Sequence, residues 1–138
     1  MSLEVVVGPM FSGKSSYALS YIRRQHSIDK KVLVIKPDID TRYSDENMLV
    51  THDKEKSPCI LWDVKKHLDT EIQDYDCIVL EEAQFFRGLT TFVTNAVNVF
   101  KKDVLVVGLD GDAHQVLFGE ILYCIPWATK VTKLCALC

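Results

Sequence analysis

The sequence has little of what marks membrane-bound, secreted or repetitive proteins. No segment of its 138 residues approaches the ~20 consecutive apolar residues of a membrane span. The first apolar stretch is only a strand long and has no features of a signal peptide. Internal repeats, low-complexity tracts and interdomain linkers are also lacking. These absences predict one folded unit in the cytoplasm, without a membrane partner.

Basic charge is not in excess. Sixteen Lys and Arg residues stand against 19 Asp and Glu residues, and the net charge is −3 at pH 7. The charges are scattered, so nothing attracts nucleic acid or anionic lipid in a general way. A mononucleotide or nucleoside is therefore a better partner than a nucleic acid.

The number of cysteines is odd. Five cysteines in a reducing compartment argue against a disulfide framework. Cys59, Cys77 and Cys124 stand in apolar surroundings and are predicted to be core residues. Cys135 and Cys138 form a C-x-x-C, a spacing that supplies half of a tetrahedral zinc site.

A phosphate-binding motif follows the first apolar strand directly. Its two glycines let the loop wrap so that backbone N–H groups point inward, toward phosphate oxygens. Lys14 is placed to neutralise β- and γ-phosphate charge, and the Ser15 hydroxyl to bind magnesium. The motif predicts a nucleotide polyphosphate site formed by Gly8, Pro9, Met10, Phe11, Ser12, Gly13, Lys14 and Ser15.

The order of apolar segments predicts an α/β fold. Strand-like runs recur at residues 3–7, 31–36, 77–81 and 103–109, separated by stretches of helix length. We predict a parallel sheet flanked by helices, of the P-loop NTPase (RecA-like) type. Helices are predicted over residues 16–27, 63–72 and 89–100. Residues 37–58 are predicted as a loop with a hairpin around Met48, Leu49 and Val50.

Two adjacent carboxylates end the third apolar run. In a phosphoryl-transfer enzyme, one carboxylate of the pair Glu81 and Glu82 can hold a magnesium water while the other, which points elsewhere, accepts a proton from the attacking hydroxyl. The alternative is a solvated acidic strand end. Since unpaired acids beside a buried strand are costly, the pair favours a functional site.

Several segments together resemble the thymidine kinases found in animal cytosol, many bacteria and large DNA viruses. Their order and spacing agree with that family, and the resemblance extends from residue 3 to residue 138. The matching residues are 8–15 (GPMFSGKS), 40–43 (DTRY), 51–53 (THD), 82–86 (EAQFF), 109–111 (LDG), 118–119 (FG) and 135–138 (CALC).

The resemblance implies transfer of the γ-phosphoryl group of ATP to the 5′-hydroxyl of thymidine, with magnesium. Lys14 would hold the donor phosphates, Glu82 would be the general base, and Arg42 would reach the transferring phosphate. Magnesium would be held by Ser15 and Glu81, with Asp40 supporting the metal shell.

The resemblance also implies a thymine pocket walled by Met10, Phe85 and Phe118, although such residues are equally common in cores. The resemblance further implies a homo-oligomer, commonly a tetramer, with thymidine triphosphate as a feedback inhibitor. A kinase domain over residues 1–134 would be followed by the start of a small zinc-knuckle domain over residues 135–138, with Cys135 and Cys138 as two of four zinc ligands. The second ligand pair and the lasso loop that binds thymine do not occur in this sequence, so two free thiols at Cys135 and Cys138 are the alternative to a zinc site.

The sequence departs from the family in two further places. Glu81 stands where the family usually has aspartate, and residues 112–117 lack the usual phenylalanine and basic residues. With the lasso loop also missing, the alternative to a kinase is a non-catalytic module that keeps ATP binding but has lost the nucleoside lid. A third alternative, an ATPase acting on nucleic acid, is disfavoured by the acidic charge. Retention of Lys14, Ser15, Arg42 and Glu82 favours the enzyme.

Overall fold

The computed structural model describes residues 1–10, 12–37, 72–111 and 119–135, and the backbone of residues 48–50, 56–58 and 60–62. The strands are β1 (Ser2–Val7), β2 (Val32–Pro37), β3 (Met48–Val50), β4 (Lys56–Pro58), β5 (Ile60–Trp62), β6 (Cys77–Leu80), β7 (Asp103–Gly108) and β8 (Lys130–Lys133). The α-helices are α1 (Lys14–Ser27) and α2 (Leu89–Asn98). Short 3₁₀ turns cover Ile72–Asp74, Ala83–Phe85 and Ile121–Trp127.

The main sheet has six strands in the order β5-β2-β6-β7-β1-β8, and every neighbouring pair is parallel. Successive residues of a strand point to opposite faces. Accordingly, Val5 of β1 belongs to a core cluster with Phe92 and Val93 of α2, while Val6 belongs to a second cluster with Ala18 of α1. The two helices therefore cover opposite faces of the sheet, and the predicted α/β fold with a parallel sheet is confirmed.

The predicted strands agree with β1, β2, β6 and β7 to within one residue at each end. Helix α1 begins at Lys14, two residues before the predicted start, and α2 ends at Asn98, two residues before the predicted end. Beyond that end, Phe100 is partly buried against the core. Of the helix predicted over residues 63–72, residues 63–71 lie outside the described part of the chain.

The predicted hairpin is confirmed, because β3 pairs antiparallel with β4. Two strands of the main sheet, β5 and β8, are not among the sequence predictions. Cys77 and Cys124 are buried as predicted, whereas Cys59 lies outside the described residues. Among the described helices, none has both the length and the apolar character that crossing a membrane requires.

Candidate active site

Three adjacent strands of the parallel sheet end at the candidate site. The phosphate loop follows β1, the carboxylate pair follows β6, and Leu109 follows β7. In open α/β sheets, ligands bind at this carboxyl edge. A cavity of about 90 Å³ opens here, lined by Met10, Ser12, Gly13, Lys14, Ser15, Ser16, Glu81, Glu82, Gln84, Phe85, Val107, Gly108 and Leu109.

The two glycines of the phosphate loop serve different purposes. Gly13 has a φ of 89°, a left-handed conformation that side chains rarely adopt, and α1 begins at the next residue. A Cβ at Gly8 would lie 2.7 Å from the carbonyl oxygen of Leu134, so only glycine fits beside that backbone. The loop thus turns sharply into α1 and places Lys14 and Ser15 in the first helical turn.

The Lys14 side chain folds back over the loop. Its ammonium donates to the carbonyl oxygen of Pro9 and, at 3.3 Å, to the hydroxyl of Ser12. Partial burial lowers the pKa of Lys14 below its usual value, although Glu81, Glu82 and Asp110 act to raise it. The ammonium is thus partly desolvated, and the charges of three acids act on it. Because charges interact more strongly away from bulk water, this ammonium would attract a bound phosphate strongly.

The predicted metal ligands, Ser15 and Glu81, are in contact. The Ser15 hydroxyl donates to Oε1 of Glu81 at 3.0 Å, across 66 residues of sequence. Glu81 is only 5% exposed, and its N–H donates to Ile35 on β2. A hydroxyl and a carboxylate are hard oxygen donors of the kind magnesium prefers. The two residues therefore fit a magnesium ion held directly or through water.

Glu82, the predicted base, has an unusual backbone. Its φ and ψ are 52° and 46°, and it immediately precedes the 3₁₀ turn Ala83–Phe85. Left-handed backbone is uncommon for residues other than glycine and clusters at functional sites. Directly after buried β6, Glu82 lines the cavity together with Glu81 and Lys14.

Gln84 is a structural residue of the site to which sequence reasoning assigned no role. It is 6% exposed, and its Oε1 accepts a hydrogen bond from the N–H of Leu109 at 3.0 Å. The backbone of Gly119 packs closely against the Gln84 backbone. Gln84 therefore joins the ends of β6 and β7 to the chain at residue 119. The sequence signal that could have pointed to Gln84 is its position within residues 82–86, one of the matching segments.

Two predicted pocket residues line this cavity. Met10 is 46% exposed, and Phe85 is half-buried. Four other predicted site residues, Phe11, Asp40, Arg42 and Phe118, lie outside the part of the chain that the structure describes.

The cysteine pair is described only in part. Cys135 carries an exposed free thiol, and Cys138 lies outside the described residues. Within the described ranges, no three His, Cys, Asp or Glu side chains come together as a metal site. Zinc binding therefore stays a prediction.

Known proteins resemble this chain along its whole length. The family model "Thymidine kinase" matches residues 1–138. The chain is 38% identical to thymidine kinase 1 of Dictyostelium discoideum and 40% identical to the cytosolic thymidine kinase of Bos taurus, covering 99% of this chain and 61% and 56% of those proteins. Thymidine kinase of Sheeppox virus (strain KS-1) is 33% identical, with 99% of this chain and 75% of that protein covered.

A solved structure with a distant backbone likeness is the genome packaging NTPase B204 from Sulfolobus turreted icosahedral virus 2 in complex with sulfate. Its TM-score is 0.48 and its identity 15%, over 84% of this chain and 67% of that one. That likeness is too remote to bear on function.

The sheet topology and the phosphate loop at its carboxyl edge define a P-loop nucleotide-binding protein. With the match of the family model over its whole length, the chain belongs to the thymidine kinase family. It spans 61% and 56% of the lengths of the Dictyostelium and Bos relatives.

Proposed function

We propose that this chain is the nucleotide-binding core of a kinase that transfers the γ-phosphoryl group of ATP to the 5′-hydroxyl of thymidine. The contact between Ser15 and Glu81 carries the proposal. It brings the loop serine and the strand-end acid together, as phosphoryl transfer with magnesium requires. The names of the relatives support thymidine as the acceptor.

Each residue of the site has a distinct task in this proposal. Lys14 and the loop N–H groups hold the donor phosphates, and Glu82 takes the proton of the 5′-hydroxyl as it attacks. Ser15 and Glu81 would hold magnesium, which supplies neutralisation of phosphate charge when bound. Met10 and Phe85 offer thioether and aromatic surface to the flat thymine ring. The proximity of all these groups around one cavity supports these assignments.

Further assignments rest on the family resemblance. Asp40 would support the metal shell, Arg42 would contact the transferring phosphate, and Phe118 would complete the thymine pocket. Cys135 and Cys138 would begin a zinc-knuckle domain after a kinase domain of residues 1–134. We also propose a cytoplasmic homotetramer with thymidine triphosphate as inhibitor.

The test is thymidine phosphorylation with ATP and magnesium, run on this chain and on the full product of its gene. Formation of thymidine monophosphate by either protein would support the kinase, provided that the Lys14→Ala variant of that protein does not form it. Lys14→Arg, which keeps the charge, should retain more nucleotide affinity than Lys14→Ala. If both proteins bound ATP without phosphorylating thymidine, the non-catalytic ATP-binding module would replace the proposal.

A further inference from the structure

A lysine is buried at the carboxyl end of β2, and the proposed function gives it no task. Lys36 is only 4% exposed and stands one residue before the strand ends at Pro37. Lysine is almost never buried to this extent unless an acid compensates its charge. The burial of Lys36 therefore directs attention to the acids at this edge of the sheet.

The register of the sheet places an acid directly beside Lys36. Strands β2 and β6 are parallel, and Ile35 is the partner of Leu80. The next pair along the two chains is Lys36 and Glu81, and the N–H of Glu81 still donates to the carbonyl oxygen of Ile35 at 3.0 Å. Neighbouring strands lie about 4.8 Å apart. The backbones at positions 36 and 81 are therefore adjacent.

The two side chains belong to the same face of the sheet. Val34 and Val79 are members of the core cluster on the α1 side, whereas the residue after each of them belongs to the cluster on the α2 side. Because successive side chains of a strand alternate, Lys36 and Glu81 return to the α1 face. Glu81 agrees with this, since its Oε1 accepts a hydrogen bond from Ser15 of α1.

Burial makes the charges at these two positions depend on each other. Glu81 is 5% exposed, and a carboxylate that has lost its hydration needs positive charge nearby. An ammonium on the adjacent strand supplies such charge at short range. In the described part of the chain, Glu81 lines the active-site cavity and Lys36 does not. Lys36 can therefore act on a bound ligand only through Glu81.

We propose that Lys36 is a positioning residue of the active site, which compensates the charge of the Glu81 carboxylate and keeps it turned toward Ser15. The inference rests on the proposed function, because it assumes that Ser15 and Glu81 hold magnesium. Its additional content is that a cation on β2 prepares this pair before the nucleotide binds. Residues that orient metal ligands typically contribute roughly 10–100-fold to metal affinity.

A cycle of variants, measured without metal or nucleotide, tests the coupling between the two positions. Urea unfolding is compared for the unaltered protein, Lys36→Met, Glu81→Gln and the double variant. Lys36→Met should raise the unfolding equilibrium constant by at least about 100-fold, because a buried carboxylate then lacks its compensating charge. In the Glu81→Gln background, the same change should raise that constant by less than about tenfold.

A second measurement separates positioning of Glu81 from a purely structural role. Calorimetric titration gives the affinity for ATP with magnesium and with EDTA, and the ratio of the two is the gain from magnesium. Lys36→Met should lower this gain about tenfold and change the affinity in EDTA by less than about threefold. In the Glu81→Gln background, Lys36→Met should leave the gain unchanged within about twofold, because Lys36 acts through Glu81.

Two further variants are the controls. Lys31→Met removes an exposed lysine directly before the other end of β2. It should change neither the unfolding equilibrium constant nor the gain from magnesium by more than about threefold. Lys36→Arg keeps the positive charge and should retain more of the gain than Lys36→Met.

The outcomes separate this inference from the proposed function. A double variant that folds by circular dichroism where Lys36→Met alone does not would support the positioning role. Additive effects in the urea cycle, or failure of both variants to fold, would overturn it. An unchanged gain in folded Lys36→Met, or equal losses with magnesium and with EDTA, would also overturn it and leave ATP binding by the phosphate loop in place. If the unaltered protein bound no ATP, or gained no affinity from magnesium, the proposed function would fall and the inference with it.

Discussion

Glu82 occupies a backbone conformation that glycine would adopt at lower cost. Left-handed backbone at a non-glycine residue costs on the order of 1–3 kcal/mol and persists where the surroundings enforce it. Here the enforcing elements are buried β6 before it and the 3₁₀ turn Ala83–Phe85 after it. The cost is understandable if the carboxylate has a chemical task, which is the role proposed for it.

Replacing that carboxylate should separate chemistry from binding. Glu82→Gln keeps the size and the backbone conformation, so we expect ATP affinity within about twofold and a phosphorylation rate lower by about 10²–10⁴-fold, the usual share of a general base. Initial rates and calorimetric titration measure the two effects. Asp74→Asn, an exposed acid outside the site, is the control. Full activity of Glu82→Gln would remove Glu82 from the role of base.

Gln84 should matter for stability more than its neutral side chain suggests. Gln84→Leu leaves the partly buried N–H of Leu109 without its acceptor, which costs about 1 kcal/mol of unfolding free energy. Urea unfolding measures the loss, and Gln73→Leu, at an exposed position, is the control. Equal stability of the two variants would contradict the role of Gln84 as the connection between β6 and β7.

At the scale of elements, α2 depends on a residue far away in the sequence. Its N-cap, Gly88, has no side chain to accept hydrogen bonds. Instead, Glu120 accepts from the N–H of Gly88 at 2.9 Å and from that of Thr90 at 3.3 Å. Desolvation acts to raise the pKa of Glu120, but the hydrogen bonds from Thr90 and Gly88 outweigh it and hold the pKa below its usual value. The segment at residue 120 is thereby fastened to the start of α2.

This contact predicts a pH-dependent stability. Because the folded-state pKa of Glu120 is lowered, its stabilisation is present above the unfolded value of 4.5 and is lost as pH falls through the lower folded value. Glu120→Gln should therefore cost about 1 kcal/mol at pH 7, as loss of a helix cap does. Urea unfolding at pH 7 and at decreasing pH measures the difference between the two proteins. A difference that stayed constant at acidic pH would contradict a charged cap.

The elements that could be predicted from the sequence are those whose own residues, or the residues directly before them, show a pattern. Strands β1, β2, β6 and β7 are long apolar runs, and α1 and α2 follow turn glycines. The contact between Ser15 and Glu81 was also foreseeable, because the phosphate-loop motif and the paired acids each mark one end of it. In contrast, β8 reads Lys-Val-Thr-Lys and is mostly exposed. It is a strand because β1 pairs with it, and no pattern in four residues indicates that.

Contacts between residues that are distant in the sequence were also missed at the site. The partner of Gln84 lies 25 residues away, and the partners of Glu120 lie 30 and 32 residues away. A single sequence carries the side chains but not the folded distances between them.

At the scale of the whole molecule, the site depends on the sheet order. Strands β6 and β1 are separated by β7, so the acids and the phosphate loop lie on either side of Gly108. A Cβ at Gly108 would approach Gln84 Oε1 to 2.3 Å and Ile121 to 2.5 Å. Only glycine therefore fits at this position, between the strands that carry the two sets of functional residues.

Strand β8 is also the outermost strand of the described sheet, on the side beyond β1. Its residues Lys130 and Lys133 are exposed, and Lys133 lies 3.2 Å from Asp110. An outer strand with unused hydrogen-bonding groups can pair with a strand of another molecule, and lysines on such a strand oppose this. The two lysines thus protect the sheet from growing by addition of further chains.

This protection predicts an unusual solubility behaviour. Replacing both Lys130 and Lys133 with threonine makes the net charge more negative by two, which ordinarily favours solubility. We nevertheless expect faster aggregation by light scattering, because the outer strand becomes a template for cross-strand pairing. The pair Lys31→Thr and Arg87→Thr makes the same change of charge away from β8 and should not aggregate. The strand that extends the sheet beyond β1 is thus also the one at which fibrillar growth would begin, and two lysine side chains oppose that growth.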